Sequence, residues 1–262
     1  MNLLKSEFRK LIYTRSFYGY IAGALFLALL SSIPAAFSVN ALKAELSGSS
    51  LMDPQMVDGV YAKATGGYLF ALIMGIAIMG NEFQNGQAIS TFLATPKRIK
   101  VLYSKLIVAA GAGIIMMLIS TLLGFVGAYF GLSFYPHAKV ESSTFLDLII
   151  TAVVSGAVLA VMGVAIGALV RNVKIAMGGA VIWLQVVEKL IVLFWITGGK
   201  FLPSGLIVGM MNVRITLRSQ QRYLNLSTGS FFGPGISIAL LLLYAAIFAG
   251  VGSWVSLRRD ID

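Results

Sequence analysis

Six apolar stretches recur along this chain, at residues 18–37, 66–79, 106–130, 145–170, 175–196 and 236–257. A helix rises 1.5 Å per residue, so about 20 residues cross a hydrocarbon layer of roughly 30 Å. Five of the six stretches reach that length; the second, with 14 residues, is short for a crossing and is expected to begin a little earlier. Of the 262 residues, 58% are hydrophobic and 11% charged, whereas soluble domains carry about a quarter charged residues. The expected fold is an all-α polytopic membrane protein, a single domain over residues 1–262 with six transmembrane helices.

The segments between the apolar stretches set the orientation. Residues 1–17 alternate Leu3, Leu4, Phe8, Leu11 and Ile12 with Lys5, Arg9, Lys10 and Arg15, at helical spacing. That pattern suits a helix in the cytoplasmic interface with its cations toward lipid phosphates, or a positive flank that orients the first span. Residues 39–65 read as an external loop, 133–143 as a short outer turn and 171–174 as a tight inner turn. With both termini inside, inner segments hold 12 of the 20 basic residues, outer segments hold seven, and Lys189 lies within a span. The inward bias supports cytoplasmic termini.

Residues 80–105 form a long polar segment between two strongly apolar runs, an elbow between the second and third spans. Glu82 stands at its membrane edge, and Gly86 lets the backbone turn. Ile89, Phe92 and Leu93 share one helical face, and Pro96 stops any helix begun near Gln87. Lys97, Arg98, Lys100 and Lys105 come next. Without further context this is an ordinary basic inner loop with an interfacial helix.

The order acidic residue, glycine, apolar turn, proline, basic residue and lysine at the next span resembles the coupling segment of type 2 ABC (ATP-binding cassette) exporter permeases. The matching positions are Glu82, Gly86, Pro96, Arg98 and Lys105; outside the elbow the likeness rests on layout. The resemblance implies a cytoplasmic coupling helix within residues 81–104, with Glu82 and the Phe92–Arg98 region contacting two cytosolic ATP-binding subunits. It also implies a second permease copy or paralogue, broken outer helices over residues 198–235, and a cargo cavity lined by spans one, two and five. ATP and magnesium would reside on the partner subunit, with no cofactor or metal on this chain and no role for nucleic acid. The expected location is a bacterial plasma membrane, and the cargo a hydrophobic or amphiphilic peptide, lipid or drug.

Two further features compete with that reading. Glu188 and Lys189 interrupt the fifth span, with Glu188 about 21 Å beyond Lys174, past the midplane. An intramembrane ionisable residue is a candidate functional site; the alternative is structural, with Glu188 paired to a cation of a neighbouring helix or of the outer segment, or with Lys189 snorkelling outward. Arg214, Arg218 and Arg222 recur every four residues, as lipid-headgroup contacts or as an outer basic rim for an anionic substrate. Gly198-Gly199-Lys200 lacks the spacing of a nucleotide-binding loop, and zero cysteines with one histidine, His137, argue against thiol or histidine metal sites. The chain is therefore expected not to be an enzyme. An ion-coupled carrier or channel using Glu188, and a non-transporting scaffold or sensor subunit, remain as alternatives.

Overall fold

The protein is described by a computed structural model over residues 2–46, 54–84, 98–134, 142–170, 172–211 and 231–258, and every element among them is helical. A short amphipathic helix, α1 (Asn2–Tyr13), ends at Thr14, whose hydroxyl donates to the Lys10 carbonyl at 2.8 Å. Then come α2 (Arg15–Leu46), α3 (Pro54–Ala62), a 3-10 turn (Lys63–Gly67), α4 (Tyr68–Gln84), α5 (Arg98–Leu132) and α6 (Ser142–Leu169). The fifth apolar stretch folds as α7 (Val173–Ile182), a π turn (Trp183–Val187) and α8 (Glu188–Phe194). Short helices α9 (Ile196–Gly199) and α10 (Pro203–Met210) precede α11 (Pro234–Arg258). Six segments are long and apolar enough to cross a membrane: 15–38, 57–82, 100–132, 143–169, 173–194 and 234–252. This is the fold of an integral membrane protein.

The second span starts well before its apolar run. Residues 57–65, read from sequence as external loop, are the first turns of a span running to Glu82. Asp58, Lys63 and the Gly66-Gly67 pair interrupt the apolar run, yet Val57, Val60, Tyr61 and Ala64 are buried. Tyr61 sits edge-on to Phe125 and Phe145, with centroids 5.8 and 5.2 Å away. Aromatic packing thus holds a stretch that hydropathy alone leaves outside.

Spans two, three and four form the core, and small residues explain how closely they approach. A Cβ added to Gly75 would strike the Ala160 carbonyl, one at Gly163 the Leu72 carbonyl, and one at Gly113 the Gly156 carbonyl. Helix association in an apolar solvent relies on such backbone proximity, because burying apolar surface gains little there. Span one adds a buried stripe of Ala24, Ala28, Ser32 and Ala36 at four-residue spacing. Gly127 and Gly131 of span three face Ser32 and Ala36 of that stripe. Spans one, five and six are less enclosed by the rest of the chain than spans two to four.

Candidate functional site

At the end of the bundle that carries α1, four charged side chains from three elements meet. Lys105 Nζ donates to Glu7 Oε2 at 2.5 Å and to Glu82 Oε1 at 2.6 Å. Lys10 Nζ donates to Glu7 Oε1 at 2.7 Å and reaches Glu82 Oε1 at 3.4 Å. The Lys105 side chain is 2% exposed and Glu7 4%, whereas Lys10 is 49% exposed. Isolated charges at that depth would be very unfavourable, and here each carboxylate meets an ammonium.

The titration of the α1 groups reflects that arrangement. Burial by itself would raise the Glu7 pKa, but the field of Lys105 and the hydrogen bonds from Lys10 and Lys105 outweigh it and hold the carboxyl below its ordinary value. Desolvation would lower Lys10, yet its bond to Glu7 and the charges of both carboxylates raise it. Glu7 and Lys10 are therefore ionised at neutral pH, and the cluster binds α1 to the start of span three and the end of span two.

Two of the expected elbow residues belong to this cluster. Glu82 and Lys105 do not present their charges outward for another protein to grip; they are buried and joined to each other and to α1. Glu7 was absent from the sequence-derived candidates, although it could have been found: it falls three residues after Leu4 and four before Leu11, on the apolar face of α1. Arg98 begins α5. Gly86, Phe92 and Pro96, and with them the expected coupling helix, lie outside the described residues, as do Arg214, Arg218 and Arg222.

Toward the opposite end of the bundle a cavity of about 740 Å3 lies among span one, span two, span five and α10. Leu27 and Ser31 contribute from span one, Lys63 and Tyr68 from span two, Gln185 and Lys189 from span five. The Ser31 hydroxyl donates to the Lys63 carbonyl at 2.7 Å, and the Thr65 hydroxyl lies 3.9 Å from Met211 Sδ. These contacts tie the 3-10 turn to span one and to the end of α10. Its walls come from spans one, two and five, with α10 as a further wall.

Glu188 stands behind this cavity and is fully buried. Its Oε2 accepts the Ser204 backbone N–H at 3.0 Å, and the Ser204 and Trp183 side chains also interact with the carboxyl group. The partner is an N–H at the start of α10, where a cation had been the structural expectation. The reason is local: Leu202 at the cap has no side-chain acceptor and Pro203 has no N–H, so the first free donor is Ser204. A carboxylate there also meets the positive end of the helix dipole. The π turn immediately before Glu188 inserts an extra residue, rotating α8 by about 100° relative to an unbroken α-helix. Glu188 then points inward and the adjacent Lys189 is exposed on the cavity side.

Lys200 packs between spans five and six, its ammonium lying 5.5 Å from the Phe201 ring centre and 5.0 Å from that of Phe232. Tyr244 of span six donates to the Phe201 carbonyl at 3.2 Å. In comparison with known proteins, the sequence matches no protein-family model, and no curated protein is significantly similar to it.

Proposed function

We propose that this chain is the permease subunit of an ATP-driven exporter of the type 2 ABC class, moving a hydrophobic or amphiphilic cargo by alternating access. In this reading the α1 end faces the cytoplasm, two cytosolic subunits bind and hydrolyse ATP with magnesium, and a second permease copy or paralogue completes the assembly. One observation carries the reading: both feet of the elbow, Glu82 and Lys105, are joined in a buried ion network and belong to spans two and three. Those spans are welded to span four, so a force on residues 85–97 would move a rigid core. The cavity lies on the other side of span two, between that core and spans one and five, where such a movement would change access.

Extraction of the tagged full chain from its native membrane, with mass spectrometry of what accompanies it, tests the assignment. A soluble ATPase in stoichiometric amount is expected; its reproducible absence from the folded chain removes the reading. Phe92→Asp and Arg98→Glu should leave the chain in the membrane and reduce ATPase association, and full association in both would count against the elbow as the docking element.

A second reading is favoured by one observation: Glu188 is fully buried, and no cation among the described residues is paired with it. It describes an ion-coupled carrier with Glu188 as the titrating group. Glu188→Gln separates the two, because the amide oxygen still accepts from Ser204 but no proton is exchanged. A carrier loses its proton or sodium dependence, whereas an ATP-driven exporter shows at most a packing defect.

A further inference from the structure

We infer that the cavity among spans one, two and five selects an anionic single-chain amphiphile, with Lys63 and Lys189 holding its charged group and Gln185 accepting a hydrogen bond from a neighbouring hydroxyl or amide. The inference rests on the permease reading for its biological meaning and specifies the cargo side of it.

Lys63 precedes Glu82 by 19 residues and Lys189 comes 16 after Val173, which places them about 28 and 24 Å from the α1 ends of their spans. They thus lie at similar levels on two different helices and line one cavity. No ion pair among the described residues involves either lysine. Glu188, although adjacent in sequence to Lys189, is turned away and engaged by Ser204. Two ammonium groups at one level beside an apolar cavity create a field that favours an anion and disfavours a cation. Gln185 adds a buried acceptor, its Oε1, which has no partner. An unsatisfied amide oxygen in such surroundings gains a hydrogen bond when a donor on the ligand reaches it.

The remaining walls decide the rest of the molecule. Leu27, Leu193 and Val208 present hydrocarbon, and a volume of about 740 Å3 is in the range of small-molecule sites. A free inorganic anion would satisfy the lysines but leave this surface uncovered. A molecule with one acyl chain, one anionic group and a nearby hydroxyl satisfies all three features.

The test uses the purified full chain in nanodiscs of uncharged-headgroup lipid, without any ATPase. A fluorescent 1-acyl lysophosphatidate and the monoacylglycerol of the same chain length serve as probes, since they differ by the phosphate. Wild type should bind the lysophosphatidate about tenfold or more tighter than the monoacylglycerol. In the Lys63→Gln/Lys189→Gln double variant that preference should vanish while monoacylglycerol affinity is retained, which also reports an intact cavity. Lys200→Gln, whose ammonium sits over two phenyl rings, should bind like wild type. Equal binding of the two probes by wild type overturns the inference. So does a preference that survives in the double variant, or displacement of the probe by inorganic phosphate alone. Failure of this binding test leaves the co-purification result untouched, so the site and the exporter assignment stand or fall separately.

Discussion

Lys105 is the residue on which the α1 end depends most, because it is almost fully buried and serves both carboxylates at once. Replacing one partner of a buried ion group leaves the others uncompensated, at a cost of roughly 3–5 kcal/mol. Lys105→Met should therefore lower thermal stability in detergent, and adding Glu7→Gln and Glu82→Gln to it should recover much of the loss. A single variant as stable as wild type would mean the cluster is solvated. The pH dependence has a definite sign. The folded Glu7 pKa lies below its ordinary 4.5, so its contribution is complete above about that pH and is lost as pH falls through the lowered value. The folded Lys10 pKa lies above its ordinary 10.5, so its contribution is complete below that pH and disappears only as pH rises through the raised value. Stability from this pair should be level between those limits, and the acid loss should be shallower in Glu7→Gln when unfolding is followed against pH. Glu82 and Lys105 were legible as special residues from their order in the elbow. Their mutual burial was not, because the acid that completes the cluster, Glu7, lies 98 residues from Lys105 in the chain.

At the scale of the elements, apolar runs were enough to count six spans, since hydrocarbon imposes length and hydrophobicity on each. They were not enough to start the second span correctly or to place the π turn, for both depend on side-chain contacts between helices. The glycines illustrate the same limit. Gly111 and Gly113 look equivalent in sequence, yet an added Cβ at Gly111 meets nothing within 4 Å while one at Gly113 meets Gly156 backbone. Gly113→Ala and Gly163→Ala should each lower stability by about 1–3 kcal/mol, since neighbouring backbone must move. Gly111→Ala should be neutral or stabilising by up to about 1 kcal/mol, from helix propensity alone. Melting temperatures in one detergent decide it, and equal effects at positions 111 and 163 would refute the close approach of spans two and four.

For the whole molecule, the question is whether the core of spans two, three and four moves against spans one and five as a unit. The cavity exists because span two is bound to the core by Gly75 and Gly163 on one side, while its other side touches span one through Ser31 and the 3-10 turn. That second contact offers a lock. A Cβ built on Gly66 lies 3.5 Å from Ser31 Cβ, a separation that a disulfide can bridge, and the chain has no other cysteine to interfere. In Ser31→Cys/Gly66→Cys, mild oxidation should join spans one and two, visible as protection of both thiols from alkylation. If cargo access requires the core to rock away from span one, the oxidised variant should lose ATP-coupled transport and regain it on reduction, while either single variant is unaffected by oxidant. A locked protein that still transports at the wild-type rate would show that spans one and two travel together, and the moving boundary would then have to lie between span two and span five.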